Sequence, residues 1–182
     1  MFEFTLDLEP LDRNELFDVL YKYFHRDFVA NKTYLNKTIC IDPQSYKKDG
    51  GKEASFWHLT TRTVTSKIKV GNRQVNINER LPDYERSERI EWIKEIITNH
   101  DHAEVKLFYH IETNAKKDTR LYLWAHRYDF VVILQKLGKS SSFLVTSFYI
   151  DHEHKKHTYE ARYKRYQDGN VGELAGCEWF DK

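Results

Sequence analysis

Glycine, proline and cysteine are all scarce, at seven, three and two in 182 residues. Phosphate-cradling loops and dinucleotide-binding turns are built from clustered glycines, so seven scattered ones exclude a P-loop or a Rossmann-type fingerprint. Cys40 and Cys177 lie far apart, and neither belongs to a CxxC pair or to a zinc-ligand spacing, which leaves two reduced structural thiols. No GxSxG elbow or HExxH stretch is present. His152, His154 and His157 stand beside Asp151, but 152 and 154 point about 200° apart on a helix, so no metal and no cofactor is expected. No run approaches the ~18 consecutive apolar residues of a membrane span. Residues 1–10 lack the basic start and unbroken apolar stretch of a secretion signal, and the expected location is the cytoplasm. Charge of one sign is missing too: 29 Lys and Arg against 28 Asp and Glu leave +1. Any nucleic-acid binding must therefore use a local basic patch.

What is present is ordinary globular composition, 40% hydrophobic and 31% charged, with no repeat, low-complexity tract or linker. One domain over 1–182 is expected. Phe2, Phe4, Leu6 and Leu8 alternate with polar residues and predict a first strand. Asp12 and Glu15 form a capping box ahead of Leu16, Phe17, Leu20 and Phe24, which predicts a helix over 12–27. A short strand over 38–41 and a lysine-bearing loop over 45–52 follow. The β-branched and aromatic residues of 54–65 predict extended structure, and 67–77 a hairpin turned at Gly71-Asn72. A second helix opens at Pro82-Asp83 and carries Ile90, Ile93 and Ile97 as one stripe. Four close-spaced runs, 104–112, 119–125, 128–134 and 143–150, predict a four-stranded antiparallel meander, since short connections cannot make parallel crossovers. A last helix is expected over 151–166, capped by Asp151 and ended by Gly169-Asn170. The class is α+β: N-terminal helices, then the meander, then a C-terminal helix.

Alternation decides which side chains share a sheet face. Val105, Leu107, Tyr109 and Ile111 make an apolar face and leave Lys106, Phe108 and His110 on the other; Arg120, Tyr122 and Trp124 oppose Leu121 and Leu123; Phe56, His58, Thr60 and Arg62 share a side. If these faces coincide, the sheet offers a platform of rings and cations suited to RNA, whose splayed bases stack on aromatics while Arg and Lys hold phosphates. Equally, a helix can cover Phe108, Tyr122 and Trp124 while Lys106 and Arg120 reach solvent along their stems. The last helix carries Tyr159, Tyr163 and Tyr166 among Lys155, Lys156, Arg162, Lys164 and Arg165, a basic patch in a neutral chain. Lys106, Tyr122, Trp124, Lys155, Lys156 and Arg162 are the candidate RNA-binding residues.

With cofactors excluded, acid–base chemistry remains. RNA can be cleaved by its own 2′-hydroxyl, which needs only a base, an acid and cations around the phosphorane. Phe56-Trp57-His58-Leu59-Thr60-Thr61-Arg62, taken as a strand-borne histidine, and Phe143-Leu144-Val145-Thr146-Ser147-Phe148-Tyr149-Ile150, a late strand, together resemble the barnase, EndoU, colicin and RelE-like nuclease superfamily, in its phage-associated or toxin branch. The resemblance covers a nuclease-like core of about 54–166, with 1–53 packed on it. It implies a metal-independent endoribonuclease restrained by an antitoxin or immunity protein. It also implies His58 as the catalytic histidine, Arg120 as a phosphate-binding cation and Thr146 as a hydroxyl donor; Arg62, on the same segment as His58, is added as a further candidate cation. Two other functions remain open: a non-catalytic RNA-binding protein, which would tolerate loss of His58, and a phage or defence module whose aromatic face docks another protein.

Overall fold

A computed structural model describes residues 2, 4–9, 11–71, 73–113, 115, 117–169, 174 and 179. Cys177, Asn72 and Asn170, which figure in the expectations above, lie outside the described residues. The first helix, α1 (Arg13–Phe24), opens with the capping box as expected: the Asp12 side chain accepts from the Asn14 and Glu15 amides, and Glu15 reaches back to the Asp12 amide. Leu16, Leu20 and Phe24 are buried along its inner stripe. It continues as a π-helical turn, His25–Ala30, that carries Asp27 and Phe28 inward. The strand expected over the first residues is absent among those described. Phe2 and Leu8 are buried, but Phe4 is 84% exposed. The backbone there bonds to later helices, Leu6 N donating to Glu88 O and Phe4 O accepting from Trp92 Nε1.

The sheet corrects the expected four-stranded meander. Its strands are β1 (Tyr34–Leu35), β2 (Ile39–Asp42), β7 (Val105–Ile111), β8 (Thr119–Ala125), β9 (Phe130–Lys136) and β10 (Ser141–Tyr149), in the order β1-β2-β10-β9-β8-β7. The antiparallel connections from β7 to β10 are there, but β2 adds to the far edge in parallel with β10, aligning Cys40 with Ser141. The sheet is therefore six-stranded and mixed. A chain segment separated from β10 by a hundred residues leaves no local signal of that pairing. β8 and β9 are covered on both faces, which is why Leu121 to Ala125 and Phe130 to Leu134 are buried without alternation. On one face lies α4 (Ile90–Thr98), burying Ile90, Ile93, Ile96 and Ile97, with α1 packed against it. On the other lies α5 (Glu153–Gln167), whose Tyr159 packs against Phe108, Tyr122, Trp124 and Phe148. Asp151 does not cap α5; it pairs with Lys155 at 2.7 Å, and His152 holds the cap position with no side-chain hydrogen bond.

The loop expected over 45–52 folds back as a short ribbon, β3 (Lys48–Asp49) with β4 (Lys52–Glu53), through Gly50 and Gly51 at positive φ. The next segment differs most from expectation. Ala54–Thr60 is a helix, α2, because Ser55, Phe56, Leu59 and Thr60 are buried at helical spacing, and the hydroxyls of Thr60 and Thr61 donate to the carbonyls of Phe56 and Trp57 one turn back. Its β-forming composition is overridden by that packing. The predicted hairpin is longer, β5 (Thr61–Val70) with β6 (Arg73–Pro82), and it forms a separate two-stranded sheet. α3 (Tyr84–Ser87) follows, capped by Asp83, and is distinct from α4.

Candidate functional site

The platform expected from strand alternation exists as a face and is closed. Phe108 and Tyr122 stack at 4.9 Å across β7 and β8. Tyr122 and Trp124 are buried under α5, at 2% and 0% exposure, so neither ring can receive a base in this arrangement. Lys106 is drawn over the rings of Trp124 and Tyr163, at 4.8 and 5.2 Å from their centroids. Lys155 and Lys156 are tied to Asp151 and Asp129. Much of the basic patch read on α5 is thus internally paired.

At one end of this face the cover is incomplete, and a cleft of about 470 Å³ opens between α5, the end of β7 and the connection that leads into β8. Its wall holds the Glu112 carboxylate, the His110 imidazole and several cations, with the Tyr122 phenol buried behind them. Glu112, one residue beyond β7, is fixed by its backbone, the amide donating to Asp118 O at 3.0 Å. Its Oε1 accepts the Tyr122 hydroxyl at 2.5 Å and stands 3.8 Å from Arg120 Nη1. Arg162, from α5, donates to the same Tyr122 hydroxyl at 3.4 Å. Register sets Arg120 directly opposite His110, the strand spacing that brings cross-strand side chains together. The His110 ring lies edge-on to Tyr122, with centroids 6.2 Å apart. Lys117 and Arg165 also line the cleft. Burial pushes the Tyr122 phenol up, and the hydrogen bond and charge of Glu112 push it further, so it stays a donor at any physiological pH. The side chains of Glu112 and Arg120 remain 20% and 24% exposed, reachable from outside. Arg120 Nε is buried and finds no hydrogen-bond acceptor among the described residues. A buried guanidinium N–H without an acceptor is costly; the cations that line the cleft itself are Lys117, Arg162 and Arg165, with Arg120 behind Glu112.

His58 belongs elsewhere. It lies on the last turn of α2, not on a strand, so the shared face with Phe56, Thr60 and Arg62 does not form. Thr146 does meet it: a register shift in β10 between Leu144 and Thr146 takes Thr146 off the Leu144 face, and its hydroxyl donates to the His58 carbonyl at 3.1 Å. Arg86 donates to that same carbonyl at 2.7 Å and to Thr61 O at 3.2 Å. The imidazole is lowered from its ordinary value, first by burial among neighbouring atoms and then by the charges of Arg80, Lys47 and Arg86, which keeps it neutral near pH 7. Arg62 adds to this cationic surround through its effect on Arg86. Arg120 is two strands away on β8, so the joint site of His58, Arg120 and Thr146 does not assemble; the residues fall into two groups.

Sequence reasoning placed Arg120, Tyr122 and Arg162 among the candidates and His110 on the right face, but gave Glu112 no role. A carboxylate at the polar end of a strand looks like a boundary, and only the β7–β8 register and a helix some fifty residues later reveal its neighbours. The larger cleft, about 760 Å³ between the N-terminal segment and α3, is lined by Asp7, Glu9 and Glu88 and has no lysine, arginine or histidine in its wall, so it repels anions. Among the described residues no group of three or more His, Cys, Asp or Glu could hold a metal, and no helix is long and apolar enough to cross a membrane. No protein-family model, curated protein or solved structure matches the chain.

Proposed function

We propose that the protein is a metal-independent endoribonuclease whose chemistry takes place in the Glu112 cleft. One observation carries the reading: a carboxylate fixed by a phenol and by Arg120 lies next to His110 in an accessible cleft that is otherwise cationic. In-line cleavage of RNA needs a base, an acid and cations around the phosphorane, and this constellation offers all three. Glu112 takes the proton of the 2′-hydroxyl as its oxygen attacks phosphorus. His110 gives a proton to the departing 5′-oxygen as the P–O bond breaks, leaving a 2′,3′-cyclic phosphate. Arg120 and Arg162 hold the phosphorane, whose added negative charge rewards fixed guanidinium groups in a site partly shielded from water. Tyr122 positions Glu112 and stays protonated. A lone carboxylate among arginines and a lysine suits an anionic phosphate and opposes a divalent cation, so this mechanism needs no metal.

This assignment keeps the superfamily likeness as a functional expectation while moving proton transfer away from His58. By the same likeness, a cognate inhibitor protein that covers the cleft is proposed as partner. The test is cleavage of RNA in EDTA by wild type, Glu112→Gln and His58→Ala, with the new ends mapped. Loss of about 10²–10⁴-fold in Glu112→Gln, with cyclic phosphate ends in the wild type and His58→Ala unaffected, is the expected result. The reverse pattern would move the chemistry to α2. RNA retention without cleavage by any form would leave a non-catalytic binding protein.

A further inference from the structure

The β5–β6 hairpin stands apart from the six-stranded sheet, and from Thr65 to Arg80 every described residue is exposed. Ten-residue strands make it about 33 Å long. Register and alternation give its two faces opposite character. Val64, Ser66, Ile68 and Val70 face the same way as Arg73, Val75, Ile77 and Glu79. The opposite face presents Thr63, Thr65, Lys67 and Lys69 beside Gln74, Asn76, Asn78 and Arg80, cations, amides and hydroxyls without a single carboxylate. Across the whole hairpin five Lys and Arg stand against one Glu, in a protein of net charge +1. Arg80, at the root of the polar face, acts on His58, and its carbonyl accepts from Arg13 Nη2 at 3.0 Å, so the face runs on into the cationic group around α2.

We infer that the polar face of this hairpin is an RNA-binding arm, on which Lys67, Lys69 and Arg80 take successive phosphates of a strand while the amides and hydroxyls contact sugar and phosphate oxygens. The inference rests on reading the protein as one that acts on RNA. Lys, Arg, Thr, Asn and Gln are the side chains that serve backbone contacts, and such contacts position a nucleic acid without reading its sequence. The occupant is chosen by charge: a carboxylate-free cationic strip complements a polyanion. A protein partner would use the apolar face instead.

The experiment uses the full chain and RNA that cannot be cleaved, fully 2′-O-methylated and labelled, in lengths of about 4 and about 20 nucleotides, with Kd measured by anisotropy across a salt series. Each lost phosphate contact on a single strand should lower the slope of log Kd against log salt by about 0.7. Lys67→Gln/Lys69→Gln should therefore flatten the slope for the long RNA by about 1.4, weaken its binding at low salt and leave the short RNA unchanged. Both side chains are exposed at the arm's outer half, and unchanged circular dichroism verifies folding. An unchanged slope, an equal loss for both lengths, or no salt-dependent binding of RNA by the wild type would each overturn the arm. Because the readout is binding, a wild type that fails to cleave but loses this slope in the double variant sinks the nuclease reading and retains the arm. A wild type that cleaves, with a slope indifferent to the lysines, does the opposite.

Discussion

Tyr122 touches Glu112 through one hydroxyl and the aromatic cluster through its ring, so Tyr122→Phe separates the two roles. The ring packing survives, Glu112 loses its donor, and the variant should lower thermal stability by about 1 kcal/mol while cutting RNA cleavage. Cleavage equal to wild type would deny Tyr122 its positioning role. A second residue links packing to pH. Asp27 is 2% exposed in the π-helical turn, bonded by Arg26 at 2.7 Å and Lys94 at 3.2 Å. Burial alone would raise its carboxyl, but the hydrogen bonds and charges of Arg26 and Lys94 outweigh it and hold the group below the usual carboxylate range. A depressed folded-state value means that the stabilisation is complete above the unfolded value near 4 and disappears as pH falls through the lower, folded one. Asp27→Asn should therefore cost about 1–3 kcal/mol at pH 7, allowing for the exposed Arg26, and the gap in Tm to wild type should narrow below pH 4. A gap independent of pH would assign the loss to packing. The Asp12–Glu15 cap was legible because its partners lie within one turn. Asp27 was not, since its partner Lys94 comes from another helix.

Elements were legible where one periodicity dominated. α4 is found where the apolar spacing puts it, whereas α2 has the β-branched and aromatic content of a strand and becomes helical because its Ser55, Phe56 and Leu59 stripe packs inward. α2 also meets β10 beyond the three residues that pair with β2: Ser55 Oγ donates to Leu144 O at 2.5 Å, and Thr146 Oγ1 to His58 O. Ser55 is fully buried, so Ser55→Ala leaves a carbonyl without that donor and should destabilise by about 1–3 kcal/mol in urea unfolding. A change under a few tenths would mean that Gln44, which also reaches Leu144 O at 3.3 Å, supplies the bond alone. The hairpin predicts the opposite. Replacing its outer half, 66–77, by a two-residue Asn-Gly turn removes residues of which every described one is exposed, so Tm should hardly change, while on the proposed arm reading RNA affinity should fall. A large drop in Tm would show that the arm supports the core.

For the whole molecule, the nearly neutral charge hides a division: an acidic cleft beside the N-terminal segment, a cationic cleft at Glu112 and a cationic group running up the arm. Composition reports only the sum, and so the α+β class could be read from the chain while the mixed sheet and the separation of His58 from Arg120 could not. The parallel joining of β2 to β10 has a further consequence in time. Cys40 and Ser141 are roughly a hundred positions apart, and synthesis at about 5–20 residues per second separates them by on the order of 5–20 s. During that interval a newborn chain carries Ile39, Cys40 and Ile41 as an unmatched edge, open to neighbouring nascent chains. Arg162 is made later still, so the wall that α5 gives the Glu112 cleft is completed only once the strand edge can close.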